Sequence, residues 1–477
     1  MDAQPSILQS NAMDETQSTR VESIIQEADN HSWVSGTTNG FGKSKFVLQK
    51  KGSALAPNGS LIWKVLWNKY DTTQDRFASL VRTSGGVNMI RNVRLYMGGK
   101  LISETRECGQ KIALENLFVP YDAQVEILDE KTVGNHQYFY DETGELQLAD
   151  DKLFNEVGFR SPTNDNGATI ECSVKISQLL PVLKDTSLPS NLSSDIIIEI
   201  DWNGIWGDIM VESGAVAFTN TERVFEITRP RLHLDYITYA DEIANALNNQ
   251  MNSAEGMTIP YRQEVLVNSI LNASNAGTSQ TTDVELGFAN RSVMKIYVQK
   301  LLQGNTNPLL RNTRSDGLYN EQLQLVVNNR NLYDRDVVKV SEMYSYLGQT
   351  KTTPAYLLPC TYNQFGLLGA NNIMAEGVNL PCKGTFTSVD TVRANIQGQQ
   401  RYLGINLAKT RVDNDTPQNA IQVGESPMVL RISRTTNTDT DEESPNAIQQ
   451  SACNLNIWVE CVRAIIIRNG VIDVINL

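Results

Sequence analysis

Apolar and polar residues alternate in short runs along most of the chain, and this alternation predicts β-strands. From Met89 to Met97, for example, Val93 and Leu95 share one parity with both methionines, and the other parity is mainly polar. Clusters of Gly, Pro, Asn and Asp separate the runs. The clearest runs are LIWKVLW (61–67), NVRLYM (92–97), DIIIEIDW (195–202), VFEITRPRLHL (224–234), DVELGF (283–288), VMKIYVQKL (293–301) and LNIWVECVRAIII (455–467).

Helical periodicity is confined to short segments. Apolar residues recur every four positions from Tyr239 to Asn252 and predict a helix there, with Thr238 as its N-cap. A second, shorter helix is predicted near Gln110–Leu117. The chain is therefore predicted to be all-β and built from many strands.

The two halves of the chain carry similar strands in the same order, displaced by about 230 residues. Each match is weak by itself, since apolar strands resemble one another, but the shared order and nearly constant displacement indicate an internal repeat. The matched pairs are 62–67 with 293–298, 93–100 with 323–330, 196–200 with 428–432, and 226–229 with 460–463.

Residues 98–100, Gly-Gly-Lys, could be a phosphate-binding loop or a hairpin turn. A Walker-type loop needs a glycine five residues before its Gly-Lys pair and a Ser or Thr after it. Arg94 and Leu101 occupy those two positions. The repeat places Asn328-Asn329 opposite Gly98-Gly99, and Asn and Gly are the residues that tolerate the positive φ angles of a two-residue turn. The turn is therefore favoured.

These features predict two homologous β-domains, 42–234 and 257–477, joined by a helical linker at 235–256. Each domain has a length and strand number that suit an eight-stranded jelly roll of two packed sheets. The polar segment 1–41 is predicted to be a flexible N-terminal arm that becomes ordered only against a partner.

Composition narrows the function. The formal net charge of −13 argues against a protein that coats nucleic acid, because neutralising phosphates requires clustered Lys and Arg. No apolar run is long enough to predict a membrane-spanning helix, and no secretory signal is evident. The cysteines form no CxxC pair and are predicted to be buried, reduced thiols. They are Cys108, Cys172, Cys360, Cys382, Cys453 and Cys461.

Several segments together resemble one family. They are MIRNVRLYMGGKLISE, ECGQKIALENLF, SQLLPVLKDTSLPSNLSSDIIIEIDW and PRLHLDYITYADEIANAL in the first half, and VELGFANRSVMKIYVQKL and LQLVVNNRNLYDRDVVKVSEMYSYL in the second. Over about residues 45–477 the chain resembles the double jelly-roll major capsid proteins of eukaryotic double-stranded DNA viruses, including virophages, polinton-like viruses and large DNA viruses. It departs from them at Asn329, where Gly is usual, and at Tyr297 or Val298, where Trp is common.

The resemblance implies a structural virion protein that forms pseudo-hexameric homotrimers and tiles an icosahedral shell around a double-stranded DNA genome. Its implied partners are further copies of itself, penton proteins, and minor capsid or cement proteins. No sequence-specific nucleic-acid binding is expected, and an internal membrane remains open. The N-terminal arm would become ordered beneath the shell.

No catalytic, cofactor-binding or metal-binding residue is predicted. The histidines are His31, His136 and His233, so the second half has none, which argues against a two-barrel cupin with a metal in each barrel. The acidic run 439–443 lacks the glycine and spacing of a calcium loop, and a solvated loop is favoured.

Four tryptophans bear on an alternative function, carbohydrate binding. Trp63 and Trp67 share a face of an apolar strand and are predicted to lie in the core, whereas Trp202 and Trp206 could lie at a domain edge. If Trp202 and Trp206 were exposed beside paired carboxylates, a carbohydrate-binding or carbohydrate-active protein with tandem β-sandwiches would be favoured.

Overall fold

The computed structural model describes a series of segments along both halves of the chain. They are residues 18–29, 32–35, 42–68, 70–71, 76–80, 85–117, 138–140, 146–148, 167–214, 218–273, 279–303, 321–333, 403–407, 417–435 and 452–477. No helix within these ranges is long and apolar enough to cross a membrane.

Strands dominate both halves. Those of the first half are β1 (Ser18–Glu27), β2 (Ser32–Val34), β3 (Lys43–Val47), β4 (Ala54–Asn68), β5 (Tyr70–Asp71), β6 (Arg76–Leu80), β7 (Ile90–Met97), β8 (Lys100–Arg106), β9 (Tyr138–Tyr140), β10 (Leu146–Leu148), β11 (Gly167–Lys175), β12 (Leu188–Pro189), β13 (Ile196–Trp202), β14 (Met210–Gly214) and β15 (Phe225–Tyr239). Those of the second half are β16 (Met257–Leu271), β17 (Ser279–Gly287), β18 (Ser292–Leu302), β19 (Glu321–Val327), β20 (Arg330–Asn331), β21 (Leu403–Asn406), β22 (Ile421–Gln422), β23 (Met428–Thr435), β24 (Cys453–Arg468) and β25 (Val471–Asn476).

The helices are short. They are α1 (Cys108–Leu117), α2 (Ile176–Leu179), α3 (Val182–Asp185), α4 (Trp206–Ile209) and α5 (Asp241–Met251), with 3₁₀ turns at Gly85–Met89 and Pro417–Asn419. Helix α5 begins at Asp241 and has Ala240 as its N-cap, so the prediction of Thr238 as N-cap is wrong. The reason is that β15 continues through Thr238 to Tyr239, which delays the start of the helix.

The two halves have the same topology. In the first, one sheet has the order β1-β15-β4-β11 and the other β3-β13-β7-β8. In the second, the corresponding orders are β16-β24-β18-β21 and β17-β23-β19-β20. Every pairing in these four sheets is antiparallel. In each half, one sheet has four strands and the other has four in this order plus two further strands, β2 and β12 in the first half and β22 and β25 in the second. Two antiparallel sheets in this order make a jelly roll, so the predicted fold class is confirmed.

The internal repeat places its matched segments on equivalent strands. The pairs are β4 with β18, the β7–β8 hairpin with the β19–β20 hairpin, β13 with β23, and β15 with β24. The β13 match also holds in register, because Ile198 pairs with Leu95 and Leu430 with Leu325, which are themselves matched.

The sequence match of Glu226 with Glu460 differs from the structural match by two residues. Glu226 pairs with Leu66, and the counterpart of Leu66 in the second roll is Tyr297. Tyr297 pairs with Trp458, so Glu226 corresponds to Trp458 in the structure. The ladder between β15 and β4 has a bulge between Thr228 and Arg231, which changes the spacing along β15.

Part of the segment predicted to be an N-terminal arm pairs with the first jelly roll. Strand β1 pairs with β15 from Ser18 to Glu27, and β2 pairs with β15 as well. Ile24 and Trp33 pack against the first core. Strand β1 lies at the edge of its sheet. Its residues are mainly polar, so the hydrophobic pattern of the sequence did not predict it. Residues 1–17 lie outside the described segments.

Each roll has a core between its sheets, and one pair of strands reaches both cores. Strands β16 and β24 pair along their whole length, from Met257 with Ile467 to Leu271 with Cys453. At one end their apolar side chains line the second core, and at the other end they join the first core. The side chains that join the first core are Met257, Ile259, Tyr261, Ile465 and Ile467.

Candidate functional site

The Gly98-Gly99 segment is a hairpin turn. Both residues have positive φ angles, 58° and 77°, and the matched Asn328 and Asn329 have 54° and 59°. The turn therefore has the geometry predicted for it, in both rolls. The ammonium of Lys100 is bound by the carboxylate of Asp473, which belongs to the second roll. The segment thus makes a contact between the rolls. Lys100 is engaged in this ion pair, which argues against the phosphate-loop alternative.

The tryptophans lie in the core. Trp63 and Trp67 are buried as predicted, and Trp202 and Trp206 are buried too, rather than at an exposed edge. The Trp63 and Trp202 rings pack against each other in a tilted arrangement, 5.7 Å between centroids and 54° between planes, and the Trp202 indole donates a hydrogen bond of 2.8 Å to the Ser44 hydroxyl. The exposed aromatic platform that would favour carbohydrate binding is therefore not formed by these residues.

His233 lies half-buried on the outer side of β15. Burial lowers its pKa, the neighbouring Arg231 lowers it further, and Glu171 opposes both effects. His31, His136 and the acidic run 439–443 fall outside the described segments. Within those segments, no group of three or more His, Cys, Asp or Glu side chains is placed to hold a metal ion.

Four of the cysteines are buried free thiols, which confirms the prediction for them. They are Cys108, Cys172, Cys453 and Cys461. Burial raises the pKa of Cys461 from 9.0 to about 11, although Arg291 and Arg463 oppose the rise. Burial likewise raises the pKa values of Cys108 and Cys172, so these thiols stay protonated and unreactive near neutral pH. Cys360 and Cys382 lie outside the described segments.

The most elaborate polar arrangement joins the two rolls. Within the described segments, strands β8 and β16 are each paired on one side only, so each has an open edge there. The Gln263 side-chain amide donates to the Glu104 carbonyl at 2.7 Å and accepts from the Glu104 amide at 3.4 Å. One side chain thus satisfies both backbone groups of an edge residue, as a neighbouring strand would.

Further hydrogen bonds extend this contact along β8. The Tyr261 hydroxyl donates to the Ile102 carbonyl at 2.6 Å, and both residues are fully buried. The Trp458 indole donates to the Arg106 carbonyl at 3.3 Å. Beyond β8, Asn456 donates to the Gln110 side chain of α1 at 2.7 Å.

An ion pair lies beneath these hydrogen bonds. The Lys111 ammonium of α1 is bound to the Glu264 carboxylate of β16, and their side chains are 1% and 3% exposed. Lys184 of α3 lies 3.9 Å from the same carboxylate, and Lys111 also donates to the Gln178 carbonyl at 3.4 Å. Two cations from separate elements of the first roll, α1 and α3, therefore converge on one acid of the second, and buried charges of this kind need such partners.

The polar groups of this arrangement contact one another across the two rolls, and its apolar part is continuous with the first core. It holds the two rolls together, because separating them would expose paired charges and apolar surface at the same time. The sequence did not predict this contact, because Lys111 and Glu264 lie far apart in the chain. One belongs to a helical segment and the other to a strand, and no motif links them.

The chain is similar to known proteins in structure but not in sequence. By sequence, it matches no family model and no curated protein. By structure it is similar to a chain of the Sputnik virophage, with 12% identity and a TM-score of 0.59 over 96% of this chain and 89% of that chain. The Faustovirus major capsid protein is 10% identical, with a TM-score of 0.56 over 94% of this chain and 90% of that chain.

A third similar structure is PBCV-1 VP54 fitted into a reconstruction of Sputnik. It is 12% identical, with a TM-score of 0.56 over 96% of this chain and 97% of that chain. At these identities the likeness shows a shared fold. The chain thus has the double jelly-roll fold of viral major capsid proteins, and this fold is the one that the sequence resemblance implied.

Proposed function

We propose that this protein is a structural subunit, the major capsid protein of a double-stranded DNA virus, and that it assembles rather than catalyses. The observation that carries the proposal is the rigid pairing of two jelly rolls of the same topology through the contact between β8 and β16. The structural likeness to Faustovirus and virophage capsid proteins over nearly the whole chain supports it.

Two similar rolls fixed side by side supply two of the six positions of a hexagonal outline. Three copies around a threefold axis then form a trimer that approximates a hexamer and packs into a lattice. Cyclic contacts close the trimer, whereas lateral contacts between trimers remain open and extend the shell. The protein would therefore act by burying surface between copies.

The proposed location is the virion, and the proposed partners follow from the lattice. Penton proteins would fill the fivefold positions, and minor capsid or cement proteins would bind between trimers. The net charge of −13 makes the bare shell surface a poor ligand for DNA phosphates. Residues 1–17 remain as the segment proposed to become ordered against these partners beneath the shell.

The oligomeric state of the purified chain tests this proposal. Light scattering coupled to size-exclusion chromatography should give the mass of a trimer. A monomer that persists at high protein concentration would contradict the capsid function. Glycan-array binding would support the carbohydrate alternative, which the burial of Trp202 and Trp206 does not favour.

A further inference from the structure

The outer face of the sheet β3-β13-β7-β8 carries an apolar row that crosses all four strands. Val47 of β3 pairs with Ile197 of β13. Ile197 pairs in turn with Tyr96 of β7, and Tyr96 with Leu101 of β8. The bulge in the β7–β8 ladder leaves Ile102 without a place in the pairing, so Leu101 shares the outer face with the other three.

The row is open to solvent. Its two ends, Val47 and Leu101, are 38% and 40% exposed, and the two residues between them are half-buried. Cross-strand neighbours have Cβ atoms about 5 Å apart, so the four side chains form one continuous strip. A continuous apolar strip differs from singly exposed aliphatic residues, because it marks a binding surface.

The second roll lacks this strip. The equivalent row of the sheet β17-β23-β19-β20 has Val429 and Val326 in the middle, but its ends are Glu285 and Asn331. Both sheets pack normally on their cores, so the jelly roll itself does not require apolar residues at the ends of this row. The strip is therefore a feature of the surface of the first roll, and a contact outside the single chain accounts for it.

A charged row runs beside the apolar one, one step along the strands. In the order β3, β13, β7 and β8 its members are Lys45, Glu199, Arg94 and Glu104. Their charges alternate in sign, so the row is complementary to itself when the order of the strands is reversed. A twofold axis parallel to the strands, between β13 and β7, makes this reversal when two copies pack face to face.

This packing matches both rows at once. Lys45 would lie opposite Glu104 of the second copy, and Glu199 opposite Arg94 of the second copy. In the apolar row, Val47 would lie opposite Leu101 of the second copy. Complementary charge beside an apolar strip gives such a contact its register.

Two of the charges are already held in place within the single chain. The Arg94 guanidinium lies 2.8 Å from the carboxylates of both Glu104 and Asp201. The Glu104 and Asp201 side chains are only 15% and 11% exposed. The middle of the charged row is therefore ordered before any contact forms, which lowers the entropy cost of binding.

We propose that this face of the first roll packs against the same face of a second copy around a twofold axis, and that this contact joins neighbouring trimers. The same patch serves both copies, so the contact is isologous and closes on itself. The inference rests on the proposed function, since it names the surface of the lateral contact between trimers. The surfaces that close the trimer are separate from it.

Substitutions in the two rows test this contact. Val47→Asp and Leu101→Asp each place a charge in the apolar row, and Lys45→Glu places an acid opposite Glu104 of the second copy. Ile270→Asp is the matched control, because Ile270 is 54% exposed on β16 of the second roll. Lys45→Arg keeps the charge of its row. All of these side chains are exposed in the single chain, so circular dichroism and melting temperature should match the wild type.

Sedimentation velocity of the purified chain at rising concentration measures the association. The wild type, Ile270→Asp and Lys45→Arg should form pairs of trimers and larger species. Val47→Asp and Leu101→Asp should stop at the trimer, and Lys45→Glu should associate more weakly than Lys45→Arg.

Folded Val47→Asp and Leu101→Asp variants that associate like the wild type would overturn this inference, as would a wild type that stays a trimer at every concentration. The proposed function would stand in both cases. A wild type that never forms trimers would instead overturn the proposed function. The twofold contact would then be retained only if pairs of chains form and Val47→Asp abolishes them.

Discussion

Lys111 on α1 and Glu264 on β16 form a buried ion pair that joins the two jelly rolls. Neither group is within reach of bulk water, and Lys184 lies 3.9 Å from the carboxylate. The pair opposes relative movement of the two rolls, because such movement would leave a charge buried without its partner.

Removing one partner should therefore destabilise the chain strongly. We expect Lys111→Met to lower the free energy of unfolding by about 3–5 kcal/mol, because Glu264 would remain charged and buried. Urea denaturation followed by tryptophan fluorescence measures the change. The control is Lys100→Met, which breaks the exposed pair with Asp473 and should change stability little. Equal effects of the two substitutions would contradict the assignment.

The hydrogen bond from Tyr261 to the Ile102 carbonyl should also contribute to the contact. Tyr261→Phe leaves a buried carbonyl without its donor and should cost about 1–3 kcal/mol. Tyr236→Phe is the matched control, because the Tyr236 hydroxyl is equally buried but meets no hydrogen-bond partner among the residues that the structure describes. That variant should be as stable as the wild type or slightly more stable. If Tyr261→Phe were at least as stable as Tyr236→Phe in urea denaturation, the hydrogen bond from Tyr261 would contribute nothing to stability.

Sequence patterns predicted the fold better than the contact between the rolls. The alternation around Val93 and Leu95 and the paired Gly98-Gly99 and Asn328-Asn329 turns depend on local backbone geometry, which residue type reports directly. The pairing of Lys111 with Glu264 depends on how the two rolls meet, and no local periodicity encodes it. Strand β1 was missed because half of its positions face outward at a sheet edge, where burial does not impose an apolar pattern.

Stability should fall on the alkaline side of neutral pH. The thiol of Cys461 has a pKa raised by burial from 9.0 to about 11, so between those values the unfolded chain loses a proton that the folded chain keeps. The proton count is then higher in the folded state, and the free energy of unfolding decreases as pH rises, by about 3 kcal/mol in all. Cys461→Ser should flatten this slope between pH 9 and 11.

Urea denaturation at several pH values checks the slope. The pKa values of Cys108 and Cys172 are raised for the same reason, so Cys461→Ser should reduce the slope without abolishing it. An unchanged slope in that variant would contradict the link to Cys461.

Truncation at the N-terminus should separate the contribution of residues 1–17 from that of β1. A chain that begins at residue 18 keeps β1 and should fold and form trimers, but assemble shells less well. A chain that begins at residue 42 lacks β1 and β2, and with them Ile24 and Trp33 from the first core, so it should aggregate or melt at a lower temperature. Normal folding of the shorter chain would contradict the place of β1 in the first roll.

Electron microscopy of the purified full-length chain tests the central claim most directly. Class averages viewed down the threefold axis should show a particle with six lobes, two from each of three copies, and a pseudo-hexagonal outline. Particles with two lobes correspond to single chains. Their persistence at high protein concentration would contradict the account.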